Sequence, residues 1–382
     1  MQTAKGMKDL TTGNPFKLIL FFAFPVFLGC VFQQLYNMAD TIIVGNTVGP
    51  DAFTGVGLTG SITFLVVGSM NGLTAGFSVK VAQAYGAGDE SGVRRAVGMS
   101  YLLSIAIAVL VTAIAAPLTG VLLNLMQTPA AYYEYAYRYL FVIFCGIPAT
   151  VFYNIVAGLL RAVGDSKTPL YFLIFSAVLN VGLDFLFILV FRMYYEGAAL
   201  ATVLSQLVSG SLCLLFALLR YPILRPAKSD FQWDWHLAGG HLAQGLPMAL
   251  QFSITAIGCM VQQTALNGLD AALPGVVTAY TAASKIDSIA TQTFVALGTA
   301  MATYAGQNYG AGRYDRIRKG VFVGMVYSAV SVGIGFIFTV GLYEPLMKLI
   351  LNTDLSSNGA AHYDEVLGYG QQFLLWQSSF YI

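Results

Sequence analysis

Two aspartates stand inside long apolar stretches of this sequence, where an ionised side chain is costly. Asp40 lies in LYNMADTIIV, and Asp184 lies in NVGLDF. A charged side chain near the centre of a bilayer costs about 2.5–3.5 kcal/mol on insertion scales, so such residues usually face protein or water and mark functional sites. Asn180 stands four residues before Asp184 and shares its face of a helix. Carboxylate and amide oxygens can replace the hydration shell of a small cation, and a carboxylate can carry a proton.

A threonine on a further apolar stretch reaches a similar depth. Thr202 lies in EGAALATV. Counted from the predicted outer ends of the stretches, Asp40, Asp184 and Thr202 lie roughly 6–11 Å inside the membrane, with Asn180 about one turn deeper. A hydrogen-bond network with only a structural role is the alternative to an ion site. The predicted cation-coupling or proton-coupling site consists of Asp40, Asn180, Asp184 and Thr202, with Tyr139 and Asn154 as a supporting network.

Three other residues in apolar stretches are candidates for a function. Pro25 interrupts the first stretch, and a proline there removes a backbone hydrogen bond and clashes with the preceding turn, so a kink or hinge is expected. Lys285 and Asp287 lie in ASKIDSIA. Because they are two residues apart, they face different ways on a helix and cannot form a simple pair. A functional and a structural role are equally open for both.

The composition predicts an all-α integral membrane protein. Hydrophobic residues make up 57% and charged residues 10% of the chain, whereas a soluble domain has about 25% charged residues. The mean hydropathy is +0.70. Apolar runs of about 20 residues are long enough to cross a bilayer as helices. The predicted spans lie near 18–44, 53–84, 96–125, 136–160, 169–191, 198–219, 243–267, 276–306 and 320–350, and a tenth begins near 366.

The distribution of Lys and Arg predicts the orientation of these spans. Basic residues are enriched in cytoplasmic loops. If the N-terminus is cytoplasmic, the outer side holds only Arg138, Arg192 and Lys348. The inner side then holds Lys5, Lys8, Lys17, Lys80, Arg94, Arg95, Arg161, Lys167, Arg220, Arg225, Lys228, Arg313, Arg316, Arg318 and Lys319. A multi-pass protein with a cytoplasmic N-terminus is therefore expected, and the net charge of +1 gives no reason to expect a nucleic-acid partner.

An internal repeat divides the chain. The segment QAYGAGDESGVRRAVG begins at Gln83, and QNYGAGRYDRIRKGV begins at Gln307. Pro25 and Pro247 each lie in the first span of a half. Because an even number of spans separates the two copies, the halves run parallel. The prediction is a six-helix lobe at 1–220, a cytoplasmic linker at 221–242 and a second lobe at 243–382. That second lobe holds only three spans and the start of a fourth, so the sequence is expected to be a fragment.

The chain resembles the multidrug and toxic compound extrusion (MATE) transporters over its whole length. The matching features are Asp40 in MADTIIVG, the paired YGAG turns, the LLRAVGDSKTP loop and NVGLDF. The resemblance implies alternating-access export of amphipathic, often cationic, organic compounds in antiport with H⁺ or Na⁺. It also implies a V-shaped pair of six-helix lobes, a bacterial inner-membrane location, no organic cofactor and a monomer.

The resemblance is greater to one subtype of that family. The DNA-damage-inducible and archaeal type has a network of Asp, Asn, Asp and Thr in its first lobe, which corresponds here to Asp40, Asn180, Asp184 and Thr202, with Pro25 as the bending proline. The other bacterial type has a glutamate in the seventh span, where this chain has Thr255. This departure leaves open whether the second lobe takes part in ion coupling.

Three other classes of protein are alternatives to a transporter of drugs. A flippase for lipid-linked saccharides, from the same superfamily, would have a more cationic cavity, and Lys285 is the only intramembrane base predicted. An enzyme is not expected, because the sequence has neither HExxH nor clustered acids for a metal. A passive channel would not need a two-lobe repeat with buried acids. The three histidines, at 236, 241 and 362, are not at ligand spacing, so a metal site is not expected either.

Overall fold

The structure is a computed structural model that describes residues 7–48, 55–126, 128–269, 276–346 and 360–379. Helices dominate it. The helices are α1 (Pro15–Thr47), α2 (Gly60–Gly86), α3 (Glu90–Ala115), α4 (Thr119–Leu125), α5 (Ala130–Cys145), α6 (Ile147–Ala162), α7 (Lys167–Phe185), α8 (Tyr194–Arg220), α9 (Trp235–Leu269), α10 (Val276–Gly310), α11 (Tyr314–Phe336) and α12 (Ala360–Ser379). Short π-helical segments follow α7 (Leu186–Val190) and α11 (Ile337–Gly341), and 3₁₀ turns lie at Pro222–Leu224 and Lys228–Phe231.

Seven helices within the described residues are long and apolar enough to cross a membrane, or eight spans if the bent pair α5 and α6 counts as one. The predicted span 136–160 is this pair, bent by 48° at Gly146. Pro148 explains the break, because a proline near the start of α6 cannot donate a backbone hydrogen bond to α5. The predicted spans at 276–306 and from 366 fall on α10 and α12, which are more polar and are not among the seven.

Two compact units divide the chain. The first unit is Met1–Ile257 with Thr299–Gly320, and the second is Gly258–Gly298 with Val321–Ile382. In the first unit, α2, α3, α6 and α8 share a core that includes Phe77, Val97 and Leu160. In the second unit, α10 packs against α12 through Ala283 and Val366. This grouping rests on proximity and not on the internal repeat, so the predicted lobes 1–220 and 243–382, with the linker 221–242, stay a prediction.

The paired YGAG segments form matching turns at the ends of α2 and α10. Gly88 has φ +72° and Gly312 has φ +68°. Glycine adopts this left-handed conformation without a steric penalty, which is why it commonly ends a helix. The matching backbone hydrogen bonds run from Ala87 N–H to Gln83 O and from Ala311 N–H to Gln307 O, each 3.0 Å. The two repeats therefore have the same local structure as well as similar amino-acid sequences.

Small residues also let helices of the first unit approach closely. Gly72 and Gly76 of α2 lie against the backbone of α9 at Met248 and Gln244. A Cβ atom at either glycine would clash with that backbone. Small residues spaced by four are the usual means by which membrane helices bring their backbones together.

Asp165 holds the LLRAVGDSKTP loop in place through hydrogen bonds. Its carboxylate accepts hydrogen bonds from the backbone amides of Lys167 and Thr168, both at 3.0 Å, and so caps the start of α7. The Tyr221 hydroxyl also donates to Asp165, at 2.6 Å. Burial and this hydrogen bond raise the pKa of Tyr221. The loop thus ties the start of α7 to the end of α8, the two helices that hold most of the predicted site.

Candidate functional site

Three helices bring the four predicted coupling residues together. Helix α1 packs against α7 and α8. The Thr202 hydroxyl of α8 lies 3.0 Å from Asp40 Oδ2 of α1, to which it can donate. The Asn180 amide of α7 donates to Thr202 Oγ1 at 3.4 Å. Thr202 therefore bridges α1 and α7, although these residues are up to 162 positions apart in sequence.

The acidic and amide groups of this cluster are buried and incompletely hydrogen-bonded. Asp40 is 6% exposed, Asn180 1% and Asp184 0%. Within the described part of the chain, Asp40 Oδ1, Asn180 Oδ1 and both carboxylate oxygens of Asp184 have no hydrogen-bond partner. Buried oxygens without a partner are rare and costly in native proteins. The cluster therefore has the capacity to accept a proton or a cation.

The electrostatics of the cluster favour a single positive charge. The carboxyl groups of Asp40 and Asp184 lie close enough for their charges to interact, although no hydrogen bond joins them. In a low dielectric two adjacent carboxylates repel each other, and one proton or cation shared between them removes most of the repulsion. The oxygen donors suit a proton or a hard ion such as Na⁺. No group of three or more His, Cys, Asp or Glu side chains that could hold a metal occurs among the described residues.

The two supporting residues lie in different places. Tyr139 is half-buried beside the two carboxylates and packs with Val44 and Ala198. Among the hydrogen bonds of the described residues, none joins Asn154 to the coupling residues. Its amide donates instead to Asn71 Oδ1 at 2.9 Å and to its own helix at Thr150 O, 2.8 Å away.

A chain of polar side chains runs from the Asn154 region on α6 to Tyr36 on α1, and sequence reasoning did not identify it. The Thr150 hydroxyl donates to Gln206 Oε1 at 2.6 Å, and Gln206 Nε2 donates to the Tyr36 hydroxyl at 3.4 Å. Tyr36 is buried one turn before Asp40 on α1. The i, i+4 spacing of Tyr36 and Asp40 was a usable signal. Gln206 lies four residues after Thr202 on α8, so the same i, i+4 spacing could have identified it.

The remaining candidates lie outside the cluster. Pro25 is buried in α1, and the helix continues through it from Pro15 to Thr47. Lys285 and Asp287 lie on α10 in the second unit, where Lys285 is exposed and Asp287 half-buried. Their different exposure agrees with the expectation that they face different ways.

Comparisons with known proteins agree with this arrangement. The profile of the MatE family matches residues 25–186 and 247–381. The "Probable multidrug resistance protein YpnP" of Bacillus subtilis is 31% identical over 98% of this chain and 80% of its own length. The "Probable multidrug resistance protein YoeA" of the same organism is 26% identical over 86% of this chain and 72% of its own length.

The fold is also similar to solved structures. An outward-facing multidrug resistance transporter of the MATE family, in the MOP superfamily, is 25% identical with a TM-score of 0.85. The match covers 99% of this chain and 83% of that one. This chain therefore shares the fold of that transporter.

Proposed function

This chain belongs to the MATE family of membrane transporters, and from that premise we propose that it is a secondary active exporter of amphipathic, mainly cationic organic compounds. It is a membrane protein and not an enzyme. The proposed coupling ion is H⁺ or Na⁺, which moves inward as the organic compound moves outward. The proposed subtype is the DNA-damage-inducible and archaeal one, because its four first-lobe residues correspond to Asp40, Asn180, Asp184 and Thr202 here.

The observation that supports this function best is the buried pair Asp40 and Asp184 with its unpartnered oxygens. A structural network would satisfy these oxygens, because an unsatisfied buried polar group costs about 1–3 kcal/mol. A coupling site must instead leave them able to bind and release a charge. The pair thus favours an ion-coupled carrier over the purely structural alternative.

The proposed mechanism links the charge state of the pair to the packing of α1. Asp40 is the contribution of α1 to the cluster, whereas Asn180, Asp184 and Thr202 come from α7 and α8. Binding of a proton or cation weakens the repulsion that Asp40 experiences from Asp184. Helix α1 can then pack differently against α7 and α8, with Pro25 as the hinge, since the proline lacks the N–H that would otherwise hold the Phe21 carbonyl. A ligand that binds one packing more tightly shifts the population toward it.

Orientation and membrane follow from the basic residues. The proposed location is the cytoplasmic membrane of a bacterium, with the N-terminus and both YGAG turns on the cytoplasmic side. The proposed architecture is a pair of parallel lobes acting as a monomer. The two stretches matched by the family profile begin at Pro25 and at Pro247, which supports the repeat on which the lobes are based.

Transport by reconstituted protein tests the proposal. Liposomes containing the purified chain are loaded on one side with a fluorescent organic cation, and a proton or sodium gradient is then applied. The expected result is gradient-driven movement of the dye that disappears when the gradient is collapsed. If a broad panel of dyes does not move under either gradient while the protein is folded, a lipid-linked substrate becomes the better assignment.

A further inference from the structure

A groove in the first unit is not used by the proposed coupling site. It has a volume of about 610 Å³, within the range of small-molecule sites. Its walls are apolar and come from α3, α6, α8 and the segment after α8. Ile105 is 63% and Val109 59% exposed on the α3 wall. Because α3 is a candidate membrane span, these side chains face lipid and the groove opens to the bilayer.

The break between α5 and α6 contributes to this groove. Pro148, at the start of α6, forms part of the wall. The small residues Ser104 and Ala108, each 3% exposed, lie on the α3 side. Small side chains facing a bent helix pair leave a space that larger residues would fill.

One basic side chain lies at one end of the groove. Arg225 lines the groove, and its guanidinium donates to the carbonyls of Leu218 and Leu219 at the end of α8. Arg225 is exposed, and these two bonds leave its formal charge in place. Arg94 lies at the start of α3 and forms an ion pair with Asp230 at 3.9 Å. Lys228 lies on the same segment as Arg225, which also carries Asp230 and Asp234.

The segment after α8 has the features of a membrane-surface element. Its 3₁₀ turns pack on α3, and the backbone of Asp230 lies directly against Gly98. Phe231, Trp233 and Trp235 are exposed along it. Exposed aromatic side chains of this kind concentrate at the level of the lipid headgroups. Arg225 and the mouth of the groove are thereby placed at the headgroup level.

A buried polar atom inside the groove has no partner. Ser104 Oγ is buried and forms no hydrogen bond within the described residues. A serine in a helix normally bonds to a carbonyl of its own preceding turn, as Ser100 does with Ala96 O at 2.7 Å. An oxygen of an occupant would satisfy Ser104. The groove therefore needs a ligand that is apolar along most of its length, bears oxygen atoms and is anionic at one end.

We propose that this groove binds an anionic phospholipid, with an acyl chain against Ala108 and Val109, an ester oxygen accepting from Ser104, and the phosphate at Arg225. Basic pockets between membrane helices on the cytoplasmic side are suited to anionic headgroups. The positive end of the groove repels the organic cations that the proposed coupling mechanism exports, so the groove is separate from their path. The site holds whether or not the coupling proposal is correct, because none of the coupling residues lines it.

Lipid retention by the purified full chain tests the proposal. The chain in detergent is titrated with phosphatidylglycerol or with phosphatidylcholine of the same acyl chains, and bound lipid is counted by native mass spectrometry. The expected result is tighter binding of phosphatidylglycerol by about five-fold, the factor for one basic residue near the membrane surface. Equal binding of the two lipids by the unsubstituted chain would overturn the proposal.

Substitutions locate the site. Ile105→Trp blocks the mouth of the groove and is expected to lower phosphatidylglycerol binding by at least about five-fold. Ile114→Trp is the matched control, because Ile114 is exposed on the same helix and does not line the groove. Arg225→Gln is expected to abolish the headgroup preference, and Arg225→Lys to keep it. Equal loss in both tryptophan variants, or a preference that survives Arg225→Gln, would show that the lipid binds elsewhere.

Discussion

Gly86, the last residue of α2, lies directly against the backbone carbonyl of Gln307 near the end of α10. The relationship is reciprocal, because Gly310 of α10 lies against the carbonyl of Gln83 in α2. The residues that make these contacts are the corresponding members of the two YGAG repeats. Two copies of a repeat that touch through equivalent atoms are related by an approximate two-fold axis. The contact explains why the repeats keep a glycine at both positions, since a Cβ atom would clash with a carbonyl that cannot move independently.

The first prediction follows from this contact. Gly86→Ala and Gly310→Ala are each expected to destabilise the protein by about 1–3 kcal/mol, the cost of forcing an extra group into a packed interface. Gly298→Ala is the control on the same helix, because a Cβ there meets open space, and it is expected to be neutral or stabilising. Thermal unfolding of the detergent-solubilised chain is the measurement. A melting temperature of Gly310→Ala at or above that of Gly298→Ala would contradict the close approach.

The second prediction concerns the two buried acids. Asp40→Asn and Asp184→Asn are each expected to abolish gradient-driven dye export, because neither variant keeps two carboxyl groups that can share and release a charge. Expression and folding are expected to persist, since asparagine keeps the size of the side chain and one of its two acceptor oxygens. Asp287→Asn is the control and is expected to retain part of the export. Export at the original rate by both first-lobe variants would assign these residues a structural role.

The third prediction tests the bridge made by Thr202. Thr202→Ala removes the hydroxyl that lies between Asp40 and Asn180, and the affinity for the coupling ion is expected to fall about three- to ten-fold, the value of one or two hydrogen bonds. Thr202→Ser keeps the hydroxyl and is expected to restore most of the affinity. Isothermal titration with Na⁺, and dye export as a function of pH, provide the readouts. Equal defects in both variants would point to packing by the threonine methyl group instead.

The fourth prediction concerns Pro25. Pro25→Ala restores a backbone N–H that can bond to the Phe21 carbonyl, and α1 becomes stiffer. Transport is expected to slow, while the affinity for the coupling ion is expected to stay unchanged because Pro25 lies about four turns from Asp40 along the helix. Comparing the maximal export rate with ion affinity in the same preparation separates the two effects. A parallel loss of both would mean that Pro25 shapes the ion site and is not a hinge.

The fifth prediction concerns pH and the N-terminal segment. Burial opposes ionisation of Asp9, but hydrogen bonds from the Thr11 hydroxyl and amide and from the Thr12 hydroxyl outweigh it, so the pKa of Asp9 lies below its ordinary value of 3.8. The folded pKa is thus lower than the unfolded one. The stabilisation is complete above the ordinary value and is lost as the pH falls through the lowered folded value.

The Asp9→Asn variant tests whether the stabilisation by Asp9 is lost as the pH falls. The difference in melting temperature between the original chain and Asp9→Asn is expected to be constant from neutral pH down to about the ordinary pKa of an aspartate and to shrink below it. The neighbouring Leu10 is 1% exposed, and its amide donates to Gln307 Oε1 at 2.9 Å. A change at Asp9 is therefore transmitted to packed structure. A difference that does not depend on pH would show that the Asp9 hydrogen bonds do not contribute to folding.

Much of the architecture could be predicted from local signals. Apolar runs of about 20 residues determine membrane spans, because the bilayer requires every backbone polar group to be bonded within the helix. The repeated YGAG letters predicted two matching turns, since only glycine adopts φ values near +70° without strain. Asp40, Asn180, Asp184 and Thr202 were identified as a group because an intramembrane acid is expensive and helical spacing places polar residues on one face. The resemblance to the MATE family was confirmed by the match of the family profile.

Only the tertiary structure decided which polar groups meet. Asn154 was grouped with the coupling residues on depth alone, yet it bonds to Asn71, because depth along a span does not specify the direction in which a side chain points. Gln206 and Tyr36 join the network through contacts 170 residues apart, which no local pattern encodes. The bend at Gly146 and the reciprocal contact of Gly86 with Gln307 likewise depend on which helices pack together. Composition and periodicity determine where the helices lie along the chain and how deep each residue sits in the membrane. Which side chains meet across two helices is set by packing, and packing depends on many residues of the sequence at once.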